Sequence, residues 1–146
     1  MALRSHSHAA GDIPALSRNQ QAVMACLSAE LRPLTAYQIL DRVRETGISH
    51  PPTVYRALNE LIRAGRVHRV ESLSGFVACR HGGHDHRAAF AICRACQTVE
   101  EVELAGEGVP DVAAFAPSGF AVEQVSLEFE GLCEACAHRA GEGASA

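Results

Sequence analysis

The stretches Cys93-Arg94-Ala95-Cys96 and Cys133-Glu134-Ala135-Cys136 form two C-x-x-C knuckles, with 36 residues between them. Four thiolates on two tight turns can close a tetrahedral zinc site with Zn–S distances of about 2.3 Å. Such a site has no open coordination position, so it stabilises structure and performs no chemistry. A single C-x-x-C motif is also typical of redox proteins and disulfides, but a pair of motifs favours structural zinc. We therefore predict one zinc ion held by all four cysteines.

Length and composition limit the class of protein. The 146 residues suffice for one ordinary domain or two small ones, and the 47% hydrophobic content supports buried cores. No secretory signal is evident in residues 1–12, and no apolar run approaches the roughly 18 residues that a membrane-spanning helix needs. We therefore expect a cytoplasmic chain without a membrane partner, in a reducing compartment that favours metal over disulfides for its six cysteines.

Charge is distributed unevenly along the chain. Residues 1–78 contain nine Arg and six acidic residues, a balance of +3, whereas residues 79–146 contain four Arg and eleven acidic residues, a balance of −7. A basic half joined to an acidic half indicates that only the first half meets a polyanion. All thirteen basic residues are Arg and none is Lys. Arg suits bidentate contacts with phosphate and guanine, although a genome rich in G and C would produce the same bias.

The first half predicts three short helices joined by brief turns. Two capping-box patterns indicate where the first two helices begin, Ser17 with Gln20 and Thr35 with Gln38, and Pro51 suits the first turn of the third. In a helix-turn-helix unit, the first turns of the third helix reach base edges. The candidate DNA contacts are Thr53, Tyr55 and Arg56 on the third helix and Tyr37 on the second.

Two extended runs, Val67–Val70 and Phe76–Cys79, follow the third helix, with a turn between them. They predict a β-hairpin, and a hairpin directly after a helix-turn-helix is a wing. The polar, glycine-rich residues 80–87 then predict a linker.

The second half predicts a small mixed α/β unit of about 50 residues, a size at which a structural metal is often needed. We expect strands at Ala88–Ile92, Thr98–Leu104 and Phe120–Phe129, a short helix at Pro110–Phe115, and a fraying tail from Ala137.

Several metal-competent residues outside the knuckles lie on the wing, the linker and the strand after the first knuckle. A site that drew one ligand from each element would join the two halves of the chain, and a cysteine ligand would favour zinc over harder ions. A solvated histidine-rich linker is the alternative. The candidates are His68, Cys79, His81, His84, Asp85, His86, Glu100 and Glu101.

The chain resembles the ferric-uptake-regulator family, and specifically its zinc-uptake-regulator branch. The residues that carry this resemblance are Pro51–Leu58 (PPTVYRAL), Val67–Ser72 (VHRVES), His84–His86, both knuckles, Gly119–Phe120 and Gly131–Cys133. The resemblance covers about Ser17 to Cys136. It implies a homodimeric, metal-dependent repressor that binds double-stranded DNA through an N-terminal winged helix and pairs through a C-terminal dimerisation domain.

The resemblance also implies a regulatory zinc site formed by His68, Cys79, His86 and Glu101. Iron-sensing relatives usually carry a denser histidine run that ends three residues before the first knuckle, whereas His86 stands seven residues before Cys93. A further metal site near His84 and Asp85 would lack a histidine from the stretch between the knuckles. We thus expect two zinc ions per subunit, one structural and one regulatory.

The predicted fold class is α+β, a winged helix followed by a small α/β dimerisation domain with a four-cysteine zinc site. We expect a tail at 1–16, the winged helix at 17–79, the linker at 80–87, the dimerisation domain at 88–137 and a second tail at 138–146. The predicted function is zinc-responsive repression of zinc uptake genes, without a small-molecule substrate. An iron, manganese or peroxide sensor of the same family is the alternative. A zinc-dependent enzyme is disfavoured because no H-x-E motif occurs.

Overall fold

The computed structural model describes residues 14–81, 88–104, 111–122 and 125–143. The helices and strands are α1 (Arg18–Ser28), α2 (Ala36–Val43), α3 (Pro51–Arg63), β1 (Val67–Val70), β2 (Gly75–Ala78), β3 (Ala88–Cys93), β4 (Val99–Glu103), β5 (Leu127–Gly131) and α4 (Glu134–Glu142). Three short 3₁₀ turns are also present, at Arg44–Thr46, Glu71–Leu73 and Val112–Phe115. Helices followed by two separate antiparallel or mixed sheets confirm the α+β class.

The helix starts follow from local side-chain chemistry. The Ser17 hydroxyl accepts a hydrogen bond from the Gln20 backbone N–H at 3.2 Å, and the Gln20 side chain accepts one from the Ser17 N–H at 2.9 Å. Thr35 and Gln38 form the same reciprocal pair at the start of α2. Both predicted capping boxes are confirmed, and each satisfies two N–H groups that the first helical turn leaves without partners.

The three N-terminal helices bury one apolar core between them. The largest fully buried side chains of this core are those of Leu27, Ile39, Leu58 and Leu61. On α3 the buried residues recur at a spacing of three and four residues, so they form one apolar stripe and the opposite face of the helix is exposed. Cys26 packs at the edge of this core, and burial raises the pKa of its thiol.

The hairpin of β1 and β2 packs beside the helices and is tied to them through the backbone. Leu34 and Phe76 exchange two backbone hydrogen bonds, at 2.8 and 3.1 Å. A Cβ on Gly75 would lie 2.6 Å from the Cβ of Pro33, so this close approach requires glycine. The predicted winged helix is therefore present as one packed unit.

The second sheet has the strand order β4-β3-β5, with β3 antiparallel to β4 and parallel to β5. Phe90 on β3 is in register with Glu101 on β4 and with Glu128 on β5, so these three residues form one row across the sheet. Phe90 also belongs to a small apolar cluster with Val70 of the wing. The wing thus packs directly against this row.

Two predictions about the second half are wrong. Of the strand expected over Phe120–Phe129, residues 123–124 lie outside the described residues, and the strand that the structure describes begins at Leu127, where its pairing with Ala89 of β3 starts. The fraying tail expected from Ala137 is instead the continuation of α4, where an alanine-rich sequence with high helix propensity follows Cys133 at the N-cap. The predicted domain boundaries stay predictions. Among the described residues, no helix is long and apolar enough to cross a membrane.

Candidate metal centres and nucleic-acid surface

The two knuckles meet at one end of the three-stranded sheet. Cys93 ends β3 in register with Gly131 at the end of β5, and the backbone N–H of Arg94 donates to the Gly131 carbonyl at 2.9 Å. This pairing brings Cys133, which precedes α4, and Cys136, in its first turn, beside the first knuckle. All four cysteine sulfurs lie within 4.8 Å of one another.

The sulfur spacing fits a tetrahedral cation. The Sγ atoms of Cys96 and Cys133 lie 3.8 Å apart. A regular tetrahedron with Zn–S distances of about 2.3 Å has edges of about 3.8 Å, whereas a disulfide would require about 2.05 Å. The arrangement therefore suits a closed, four-thiolate zinc site and matches the sequence prediction.

The electrostatics of the cluster also call for a cation. Backbone N–H groups of Cys133 and Cys96 donate to the sulfur of Cys93 and lower the pKa of its thiol to about 6. The Thr98 side chain, 3.0 Å from the Cys96 sulfur, lowers the pKa of Cys96. Hydrogen bonding to Cys133 and burial together raise the pKa of Cys136 to about 11. Four adjacent thiols cannot all ionise to thiolates without a compensating positive charge.

A positive side chain of the protein also reaches this cluster. The Arg139 guanidinium, one turn along α4, donates to the Cys136 sulfur at 3.2 Å. A tetrathiolate zinc site carries a net charge of about −2, so a guanidinium at its edge reduces the accumulated negative charge. Nothing in the cysteine spacing had indicated Arg139, because it emerges only from the unexpected helix α4.

A second cluster joins the wing to the sheet. His68 on β1, Cys79 after β2 and Glu101 on β4 place one donor atom each within 4.8 Å of one another. His68 Nε2 lies 3.3 Å from Glu101 Oε1, and the Cys79 sulfur lies 3.6 Å from the same oxygen. The Glu101 side chain is only 3% exposed, which is an unusual environment for a carboxylate unless a cation or several donors share it.

Backbone contacts hold these donors in place. The N–H of Cys79 donates to the carbonyl of Arg66 at 2.9 Å, which fixes the end of the wing. The N–H of Arg80 donates to Glu101 Oε2 at 2.9 Å, so the other oxygen, Oε1, faces His68 and Cys79. A nitrogen, a sulfur and a carboxylate oxygen converging in this way are a donor set that zinc accepts.

The structure brings together three of the four residues that the resemblance implied for a regulatory site. The fourth, His86, lies outside the described residues, as do His84 and Asp85. His81, which the sequence offered among several equivalent histidines, places its Nδ1 3.4 Å from Glu101 Oε1. Glu100 is exposed and does not belong to the cluster found among the described residues.

Three of the four predicted DNA contacts are exposed on the helical unit. Tyr55 is 44% exposed, Tyr37 is 66% exposed, and Arg56 is also exposed. Thr53 is half-buried in the first turn of α3. Their neighbours Val54 and Ala57 are buried in the core, so the packed helix α3 holds Tyr55 and Arg56 in place. The exposed side chains of Tyr55 and Arg56 can present a phenol and a guanidinium to a polyanion.

Comparison with known proteins adds three similarities. The chain is 41% identical over 118 residues to the zinc uptake regulation protein of Escherichia coli strain K12, a match that covers 78% of this chain and 68% of the relative. A solved zinc uptake regulator in complex with zinc and DNA aligns with a TM-score of 0.74 and 34% identity over 87% of this chain and 86% of that one. The crystal structure of holo XcZur aligns with a TM-score of 0.70 and 36% identity over 84% and 86%. No family model matches the chain.

Proposed function

The chain belongs to the zinc-uptake-regulator branch of the ferric-uptake-regulator family, and from that premise we propose that it is a zinc-responsive repressor that binds operator DNA and controls zinc uptake. The observation that carries this proposal is the cluster of His68, Cys79 and Glu101, because it joins the wing to the three-stranded sheet. The chain is a regulator with no substrate of its own, and it acts in the cytoplasm, where its DNA target lies.

The regulatory site in this proposal consists of His68, Cys79, Glu101 and His86. His68 and Cys79 belong to the wing and Glu101 to the sheet. The three donors therefore come together only when the wing is packed against the three-stranded sheet, an arrangement called docked from here on. When bound, zinc supplies one bond to each donor and thereby stabilises the docked orientation. The sulfur of Cys79 favours zinc over iron or manganese, which prefer harder ligands.

For this mechanism, zinc must bind the docked arrangement more tightly than the undocked one. If the docked arrangement holds about 1% of the unliganded population, raising it to 99% requires about 5.5 kcal/mol. Zinc sites in small domains bind with about 10–16 kcal/mol, so the donor set can supply this difference. By thermodynamic reciprocity, operator DNA should tighten zinc binding by the same factor.

We further propose that the chain acts as a homodimer that pairs through its second half. The strand β5 is at the edge of its sheet, and edge strands offer unpaired backbone groups. Phe129 on this strand is 56% exposed and Val125 just before it is 49% exposed. In a dimer, two copies of α3 would reach successive major grooves about 34 Å apart.

The test is a zinc titration of DNA binding with the free metal buffered. An operator is first selected from random duplex DNA in the presence of zinc, and its affinity is then measured against buffered zinc, iron and manganese. The proposal expects tight, sequence-specific binding only with zinc, and two zinc ions per subunit that fall to one after mild chelation. Equal binding with and without zinc would contradict it, and a response to iron or manganese alone would favour the alternative sensor.

A further inference from the structure

The tip of the wing is held to the sheet by a carboxylate that belongs to neither metal centre. The carboxylate of Glu128, on β5, accepts a hydrogen bond from the backbone N–H of Glu71 at 2.6 Å. It also accepts one from the N–H of Ser72, at 3.2 Å to Oε2 and 3.4 Å to Oε1. These two N–H groups begin the 3₁₀ turn at the tip of the wing, where no carbonyl of the turn is available to them.

This contact lies at one end of the row that crosses the sheet. Glu101 at the other end of the row faces His68. The ring of the central Phe90 packs against the same histidine in a tilted arrangement, with ring centroids 5.5 Å apart and an angle of 55° between the ring planes. Phe90 also packs with Val70, the residue that precedes the turn held by Glu128. These contacts hold the wing at three points, and Glu128 belongs to neither cluster of metal donors found among the described residues.

We propose that Glu128 is a positioning residue that sets the zinc concentration at which the protein responds. This inference rests on the proposed function. The bonds to Glu71 and Ser72 exist only while the wing is docked, so they raise the docked fraction in the absence of zinc. Since the apparent dissociation constant equals the intrinsic one divided by the competent fraction, a larger docked fraction tightens apparent zinc binding. Zinc at saturation stabilises the same arrangement, so Glu128 does not alter the affinity of the loaded protein for DNA.

The size of the effect follows from the chemistry of the contact. Hydrogen bonds to a charged group are stronger than neutral ones, and Glu128 is half-buried, which limits competition by water. We expect removal of the carboxylate to raise the zinc concentration for half-maximal response by about tenfold, equivalent to about 1.4 kcal/mol.

The variants separate this role from a general effect on the strand. Glu128→Ala removes the acceptor. Glu128→Thr leaves a side chain too short to reach the N–H groups of Glu71 and Ser72, while it keeps a residue with high strand propensity. Glu128→Gln retains one acceptor oxygen and should restore most of the wild-type response. Glu130→Ala is the matched control, because it removes the same charge from the same face of β5 two residues further along.

The experiment uses the full-length dimer and two measurements. The affinity of the regulatory site for zinc is measured by competition with a chelator in the absence of DNA, and DNA binding is measured against buffered zinc. Zinc retained in the four-cysteine site verifies that each variant is folded. The expected result is a shift of about tenfold in both zinc midpoints for the Ala and Thr variants, with DNA affinity at saturating zinc unchanged.

Three outcomes would overturn the role of Glu128. They are wild-type zinc midpoints in both the Ala and Thr variants, an equal shift in Glu130→Ala, or a loss of DNA affinity that saturating zinc does not restore. A wild-type protein that binds DNA independently of zinc would instead overturn the proposed function, so the two failures are distinguishable.

Discussion

The sulfur atoms of Cys96 and Cys133 lie 3.8 Å apart, although they belong to different knuckles. The parallel pairing of β3 with β5 produces this proximity, because it ends with Cys93 beside Gly131. The sheet therefore aligns the two knuckles, and a bound cation would in turn hold the ends of the two strands together. Among the described residues of the second half only five hydrophobic ones are buried, and a unit with so small a core depends on that additional link.

Replacing Cys93 with Ser should unfold the second half or convert the dimer to monomer. The substitution removes one of four zinc ligands from a buried position, and an incomplete tetrathiolate site loses most of its binding free energy. Zinc content and sedimentation velocity measure the two effects. Cys26→Ser is the control, since Cys26 packs against the helical core and should leave both unchanged. A stable Cys93→Ser dimer with one zinc fewer would contradict the structural role.

The zinc affinity of the four-cysteine site should rise with pH. Zinc binds thiolates, so protons compete with it, and the Cys136 thiol, with a pKa of about 11, is still protonated at neutral pH. The Cys93 thiol, with a pKa of about 6, is already largely ionised there. Below pH 6, Cys93 also becomes protonated, so the dependence should become steeper. Chelator competition on both sides of pH 6 measures this, and an affinity that does not change with pH would contradict it.

Replacing Arg139 with Ala should accelerate the release of zinc from the same site. The guanidinium donates to the Cys136 sulfur and offsets part of the negative charge of the thiolates. Arg139 is exposed, so the effect should be modest, about threefold in the rate of transfer to a chelator. Arg94→Ala is a suitable control, because Arg94 is an exposed arginine in the other knuckle. Equal release rates in wild type and Arg139→Ala would assign the contact no role.

The features that were predictable from the sequence are those that depend on neighbouring residues. Ser17 and Thr35 cap their helices through partners three residues away. The spacing of the cysteines in the two knuckles is by itself enough to predict a metal site. The contact of Glu128 with the wing depends on register between distant segments, and no local pattern distinguishes Glu128 from Glu130. The position of His81 beside Glu101 was equally hidden among several linker histidines.

The wrong strand start has a similar physical origin. Alternation from Phe120 onward satisfies the local pattern of a half-buried strand, but a strand also needs a partner. Phe120 is 65% exposed, and the pairing of β3 with β5 begins at Leu127. Local periodicity describes what a segment can form, whereas the length of the neighbouring strand decides what it does form.

Replacing Cys79 with Ser should preserve the fold and the dimer but abolish zinc-dependent DNA binding. A serine hydroxyl is a poor zinc ligand, and the sulfur lies 3.6 Å from Glu101 Oε1 at the centre of the proposed regulatory cluster. Circular dichroism and sedimentation verify the fold, while DNA binding against buffered zinc measures the response. One zinc per subunit should remain. A variant that still responds at wild-type zinc concentrations would remove Cys79 from the sensor.

Replacing Arg56 with Ala should weaken operator binding and relax its sequence preference. Arg56 is exposed in the second turn of α3, between the buried Val54 and Leu58 that fix the helix. A bidentate contact with guanine contributes about 1–3 kcal/mol of discrimination, so affinity for the operator and for a mutated operator should converge. If Arg56 contacts a phosphate instead, affinity should fall for all sequences and the salt dependence should decrease by about one counterion.

Dissociation constants for the operator and its point variants at several salt concentrations separate these two outcomes. Arg63→Ala is the matched control, because Arg63 is exposed in the last turn of the same helix, far from the end that enters the groove. Zinc binding in the absence of DNA should be the same in both variants, since neither residue belongs to a metal cluster found among the described residues. Unchanged affinity, sequence preference and salt dependence in Arg56→Ala would place the recognition surface elsewhere on the helical unit.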